Sequence, residues 1–130
     1  MRSSALVSHG HELVRLANGA FSIRSVTAGE TFHPVAGPIV EAETLYVRQL
    51  RLRERLIGCP QNEGGGPGEF VLWDVGLGGG GNVLTALRHL SDVSACLHVV
   101  SFDRTFDALR FALRHASELQ FPIGFERSVQ

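Results

Sequence analysis

The spacing of apolar positions changes several times along the chain, and each change predicts an element. Two short runs, Leu13-Val-Arg-Leu16 and Phe21-Ser-Ile-Arg-Ser-Val26, flank Asn18-Gly19. That arrangement predicts a β-hairpin, with positive φ at both turn positions. After a polar loop, Pro38 sits where a helix can begin, and Glu41 and Glu43 suit its first turn. Leu45, Leu52 and Leu56 are read as one side of that helix, with Arg51, Arg53 and Arg55 near its C-terminal end. Phe70 to Val75 has apolar groups at consecutive positions, as a parallel strand buried on both faces requires. Val83, Leu84, Leu87 and Leu90 then return to helical spacing, and Cys96 to Phe102 is a second apolar strand. A further helix is predicted from about Thr105 to Gln120, on Phe106, Leu109, Leu113, Ala116 and Leu119. Phe121 to Phe125 reads as the start of a third strand, with Pro122 confining it to an edge or a strand start.

These elements give an organisation: a disordered tail over 1–12, a hairpin-and-helix appendage over 13–57, a Gly/Pro linker over 58–68 and a β-α-β region over 69–130. The fold class is α/β, of the Rossmann-like type built from parallel β-α units. At 130 residues and 44% hydrophobic content the chain suffices for one modest core, and a formal net charge of −1 gives no global pull towards nucleic acid or membrane. No apolar run is long enough to span a bilayer, and the first residues lack the apolar core of a secretory signal. Two cysteines, Cys59 and Cys96, make no disulfide framework, so a reducing cytoplasm is expected. All 12 basic residues are Arg, which leaves no Lys to act as a base or Schiff-base nucleophile.

The chemistry concentrates where the first of these strands ends. Asp74 is followed by Gly76-Leu77-Gly78-Gly79-Gly80-Gly81-Asn82, giving D-x-G-x-G-x-G at a strand–loop–helix junction. Glycines let a ligand approach bare backbone, and the next helix offers free N–H groups. The same residues satisfy G-x-G-x-x-G, so a dinucleotide such as NAD is one reading. A carboxylate at Asp74 favours a ligand with a positive amino group there, as S-adenosylmethionine has, over an anionic pyrophosphate. No Lys follows the loop, which excludes a phosphate-cradling P-loop. A glycine-rich turn without ligand is the plain alternative. Asp103 ends the second strand at the spacing where an acidic side chain accepts from ribose hydroxyls, and it also suits a helix N-cap.

Other polar residues carry less. His9 and His11 fall in the predicted tail, while His89, His98 and His115 fall on helices or a strand, where structural roles are the default. His33, in a loop ahead of Glu41, is read as a plain loop histidine in preference to a catalytic one, since a catalytic base needs a demonstrable partner. Arg48, Arg51, Arg53 and Arg55 read as a solvated face, with RNA phosphate as the alternative contact.

The run Gly76 to Leu84 resembles the glycine motif of the MnmC-type tRNA 5-methylaminomethyl-2-thiouridine methyltransferase domain, a class I S-adenosylmethionine-dependent family. Leu97 to Asp103 resembles that family's second strand, and Phe32 to Val47 is similar to its N-terminal segment. The resemblance implies that Gly76, Leu77, Gly78, Gly80, Asn82 and Asp103 hold S-adenosylmethionine, with Asp74 near its amino group and Glu41 closing over it. It implies tRNA as substrate. No match to the family's later strands and acceptor-site motif follows, so the chain is expected to supply a truncated, cofactor-binding half with no catalytic residue assigned and no metal. A missing neighbour would leave one edge of the Phe70–Val75 strand unpaired, and a homo-oligomer covering that edge is expected. Two other readings stay open: a non-catalytic nucleotide-binding module working with a partner chain, and an NAD-binding oxidoreductase fragment.

Overall fold

The computed structural model describes residues 10–122 and 124. It is a mixed α/β structure with an antiparallel three-stranded sheet and a separate parallel pair. Strands β1 (His11–Arg15) and β2 (Phe21–Ser25) form the hairpin, and β3 (Glu30–Thr31) adds to β2. The Asn18-Gly19 turn forms where expected but is not the two-residue type. The N–H of Gly19 donates to Leu16 O, and among these turn residues only Gly19 has positive φ, at 87°. A three-residue loop ending in a left-handed glycine closes the hairpin, so Asn18 keeps an ordinary φ and caps the Ala20 N–H with Oδ1. His11 lies in β1, paired with Ser25, two residues before the predicted start of the hairpin.

The second predicted element is where the sequence reading needs most correction. Pro38 does open helix α1 (Pro38–Glu41), but the chain then widens into a π-helical segment, Ala42–Arg48. Arg51, at φ 52°, breaks it before α2 (Leu52–Ile57). Pro38, Ala42, Val47, Leu52 and Leu56 are buried, while Leu45 is 58% exposed. Ala42 and Val47 are five apart, the hydrogen-bond spacing of a π-helix, and a search at the α period therefore picks Leu45 instead.

Strand β4 (Glu69–Val75) pairs in parallel with β5 (Cys96–Phe102), and helix α3 (Gly81–Leu90) connects them. Among the described residues only one face of this pair is covered. Leu72 and Asp74 are buried, whereas Val71, Trp73 and Val75 are exposed, so the expected burial on both faces is not met among the described residues. Helix α4 (Asp107–Arg114) is shorter than predicted. His115 leaves helical geometry, and Gln120 takes φ 57°, which brings Leu119 and Phe121 inward. Phe121 and Pro122 are not in a strand; the rest of the predicted third strand, apart from Gly124, lies outside the described residues.

Two cores share α3. Leu84 packs with Ile23, Phe111, Ala112, Leu119 and Phe121, joining the hairpin to α4. Ala86 and Leu90 pack with Val47, Leu52, Leu56 and Leu72, joining the π-helical segment and α2 to the parallel sheet. Each fully buried leucine contributes about 1.5–3 kcal/mol. Through α3 the hairpin is held in place relative to β4 and β5. No helix among the described residues is long and apolar enough to cross a membrane.

Candidate functional site

Strands β4 and β5 run in register, Val75 opposite Phe102, so their C-terminal ends stop side by side. The chain turns off β4 through Gly76, whose N–H donates to Phe102 O at 2.8 Å, as does that of Leu77 at 3.3 Å. Gly76, Gly78 and Gly80 all have positive φ, at 84°, 53° and 82°, which explains three of the glycines by backbone conformation. A Cβ added at Gly76 would meet no heavy atom within 4 Å, and one at Gly78 would meet the Phe32 ring at 3.7 Å. Gly79 and Gly80 are different: added Cβ atoms would lie 2.8 Å from Ile23 Cδ1 and 2.8 Å from Leu109 Cδ1. Gly76 borders open space and Gly78 lies under the Phe32 ring, while Gly79 and Gly80 allow the hairpin and α4 to close on the loop.

The loop is locked to the second strand by Asp103. Its Oδ2 accepts from the Gly78 N–H at 2.8 Å and its Oδ1 from the Arg104 N–H at 2.6 Å. Both oxygens keep further lone pairs, because a carboxylate offers about four acceptor sites. Beside this junction opens a cleft of about 710 Å³, within the usual range for small-molecule sites. Gly76, Leu77, Gly78, Asn82 and Asp103 line it. These are five of the eight positions anticipated for cofactor binding.

The other three are elsewhere. Gly80 is buried beneath the loop as the residue preceding α3. Asp74, only 3% exposed, sits on the covered side of β4 and does not line the cleft. Tyr46 from the π-helical segment donates its hydroxyl to Asp74 Oδ1 at 3.2 Å, and Oδ2 is buried with no hydrogen-bond partner among the described residues. Burial, and then the charge of Asp74 and its hydrogen bond, push the Tyr46 hydroxyl above its ordinary pKa. The Glu41 carboxylate accepts from the Val35 and Ala36 N–H groups at 2.9 and 2.8 Å and lies 3.5 Å from His33 Nδ1. Burial opposes its ionisation, but the bonds from Ala36 and Val35 together with His33 outweigh it and lower its pKa. Glu41 thus ties down the loop that presents His33 and is not itself a lining residue.

The opposite wall comes from the hairpin and the loop after it, none of whose lining residues the sequence reading assigned to the site. His11, Ser25, Thr27, Glu30, Phe32 and His33 line the cleft across from the glycine loop. The Ser22 hydroxyl donates to Phe32 O, and the Phe32 N–H donates to Ile23 O at 2.8 Å, which fixes the Phe32 ring over Gly78. Arg104, Thr105 and Asp107 complete the rim after β5. The local signal for the wall was Thr27-Ala-Gly-Glu-Thr-Phe-His33, a polar loop punctuated by one glycine, but its docking is a tertiary event.

The remaining histidines and arginines are mostly accounted for structurally. His89 Nε2 lies 3.0 Å from Glu43 Oε1, and the His115 ring packs 4.5 Å from that of Phe111. Arg53 makes a two-pronged pair with Asp92 at 2.8 and 2.7 Å, and Arg51 faces Glu54 at 3.8 Å. Half of the arginine run is therefore already paired with carboxylates. Among the described residues no group of three His, Cys, Asp or Glu side chains is placed to hold a metal ion. Compared with protein families, curated proteins and solved structures, the chain matches none.

Proposed function

We propose that the cleft binds S-adenosylmethionine and that the chain is the cofactor-binding half of a Rossmann-like class I methyltransferase. The observation that carries this reading is the junction of Gly78 N–H and the Asp103 carboxylate at the mouth of the cleft. Ligands in open α/β sheets bind outside the carboxyl ends of the strands, where this junction lies. The residues present fit such a nucleoside in two respects. Gly76 and Gly78 offer a floor that side chains would obstruct, and Asp103 retains acceptor capacity for a pair of vicinal hydroxyls. S-adenosylmethionine brings its own activated methyl group, so the chain's task is to bind and orient, with no proton transfer required of the residues named here. A tRNA acceptor rests on the family resemblance alone, and the cytoplasmic setting on the cysteine usage.

A dinucleotide such as NAD is the second reading, and one observation favours keeping it. Asp74 is turned into the core against Tyr46, so its charge does not confront an anionic group in the cleft. The test is calorimetric titration of the chain with S-adenosylhomocysteine and, separately, NAD. Saturable heat with the first and none with the second is expected. The reverse pattern would transfer the site to the dinucleotide reading, and no heat with either would remove both. Calorimetry suits this site better than intrinsic fluorescence, because Trp73 is on the bare sheet face and does not line the cleft.

A further inference from the structure

We propose that the bare face of the β4–β5 sheet docks a second copy of this chain. The inference is independent of which ligand the cleft takes. A parallel strand pair is ordinarily covered on both faces, because its side chains point alternately to each. Here α3 and the π-helical segment cover one face through Leu72. The other presents Val71, Trp73, Val75, Val100 and Phe102, exposed to 53%, 69%, 81%, 40% and 46%. Register makes these one patch: Trp73 is opposite Val100, Val75 opposite Phe102, and the Trp73 and Phe102 rings lie 5.6 Å apart. Among the described residues nothing covers it.

Size and charge point to a second copy as the occupant. The patch amounts to roughly 500 Å² of apolar surface, at the upper end of what a monomer leaves to water. A specific interface takes about 800 Å² from each partner and is about two-thirds apolar in homodimers, so the patch matches the apolar share of one side. A two-fold contact sets the same surface against itself, which penalises any patch carrying charge of one sign. This patch contains no Asp, Glu or Arg side chain, and Glu69 and His98 lie 4.0 Å apart at its end. The chain's net charge of −1 adds little repulsion between copies. A nucleic acid partner would need arginines here, and none is in the patch. Trp73, flanked by Val71 and Val75, has the residue type and central position of an interface hot spot. The contact is thus placed on the sheet's face, not on the free edge of β4 that the sequence suggested.

Sedimentation equilibrium of the full chain, from low to high micromolar concentration, tests this together with tryptophan emission. Trp73 is the sole tryptophan, so its emission should shift to the blue as dimer forms. Val75→Arg, at the most exposed position of the patch, should weaken dimerisation at least tenfold while leaving the circular dichroism spectrum unchanged. Val71→Asp provides the same test should Val75→Arg disturb folding. A wild-type chain that stays monomeric with solvent-exposed tryptophan emission would overturn the proposal. So would a dimer that either folded variant leaves intact, because that dimer would use the edge or another surface.

Discussion

Replacing Asp103 by Ala separates two jobs that one carboxylate performs. In the free protein Asp103 accepts from the N–H groups of Gly78 and Arg104 at 2.8 and 2.6 Å, joining the glycine loop to the end of β5. The site is solvent-exposed, so water can replace much of what the substitution removes. Two such bonds at an exposed position should cost about 1 kcal/mol of stability, at the low end for bonds to charged groups. For a domain of this size that lowers Tm by about 4 °C. Binding should suffer more. A ribose held by this carboxylate loses its acceptor and the loop loses its tether, a combined loss of about 1–3 kcal/mol, or roughly 5- to 150-fold in Kd. The assay pairs a thermal melt without ligand with calorimetry against S-adenosylhomocysteine. Affinity within twofold of wild type would refute the ribose assignment. A melt depressed far beyond 4 °C would show that Asp103 is chiefly a folding residue.

Other substitutions follow from the same geometry. Gly79→Ala and Gly80→Ala should each cost about 1–3 kcal/mol in urea denaturation, since the added methyl groups would overlap Ile23 and Leu109. Gly78→Val should leave the circular dichroism spectrum largely native and remove binding, because its side chain enters the cleft floor beside Phe32; an unfolded variant would contradict that assignment. Tyr46→Phe should destabilise by about 1–3 kcal/mol, because the hydrogen bond to the buried Asp74 carboxylate is lost; no change in the urea midpoint would count against that contact. Thr85→Val should stabilise by about 1 kcal/mol, because the buried Thr85 hydroxyl has no partner among the described residues and a methyl group needs none. Glu41 has a folded pKa below the ordinary glutamate value, so its contribution is fully present above that ordinary value and is lost as pH falls through the folded pKa. Glu41→Gln should therefore flatten the acid limb of a stability-against-pH curve, and an unchanged limb would show that other carboxylates govern it.

How much of this was legible in the sequence varied with the range of the interaction that decided each feature. The hairpin, the β4–loop–α3–β5 unit and the Asp103 position are set by local pattern and spacing, and the structure has them all. The helix after Pro38 was misread because Ala42 and Val47 repeat at five residues, a period that neither strand nor α-helix templates detect. Asp74 lies away from the cleft for a simpler reason. It shares parity with Leu72, so it points to whichever face of β4 is covered, and the sequence alone did not say which face that was. The far wall of the cleft was invisible for a third reason. Thr27 to His33 has no motif of its own and reaches the site only because the hairpin packs on α4 and the loop.

That packing gives the glycine run a second meaning. Gly78 and Gly79 lie under Phe32 and Ile23, which belong to the appendage, while Gly76 borders open space. Side chains at Gly79 and Gly80 would push the hairpin and α4 away from the loop before any ligand arrived. The cleft therefore exists because the appendage docks, and a ligand held between the two walls must favour the docked arrangement over the undocked one. Mass action makes the coupling reciprocal: ligand at 100 times its Kd stabilises the docked form by about 2.7 kcal/mol. Protection of the β2 amides around Ile23 against hydrogen exchange should rise with ligand where their exchange requires undocking. The amides of α2, across the second core, should respond less. A uniform rise in protection across both cores would instead mean that the chain opens as one cooperative unit, with the appendage never separating from the loop.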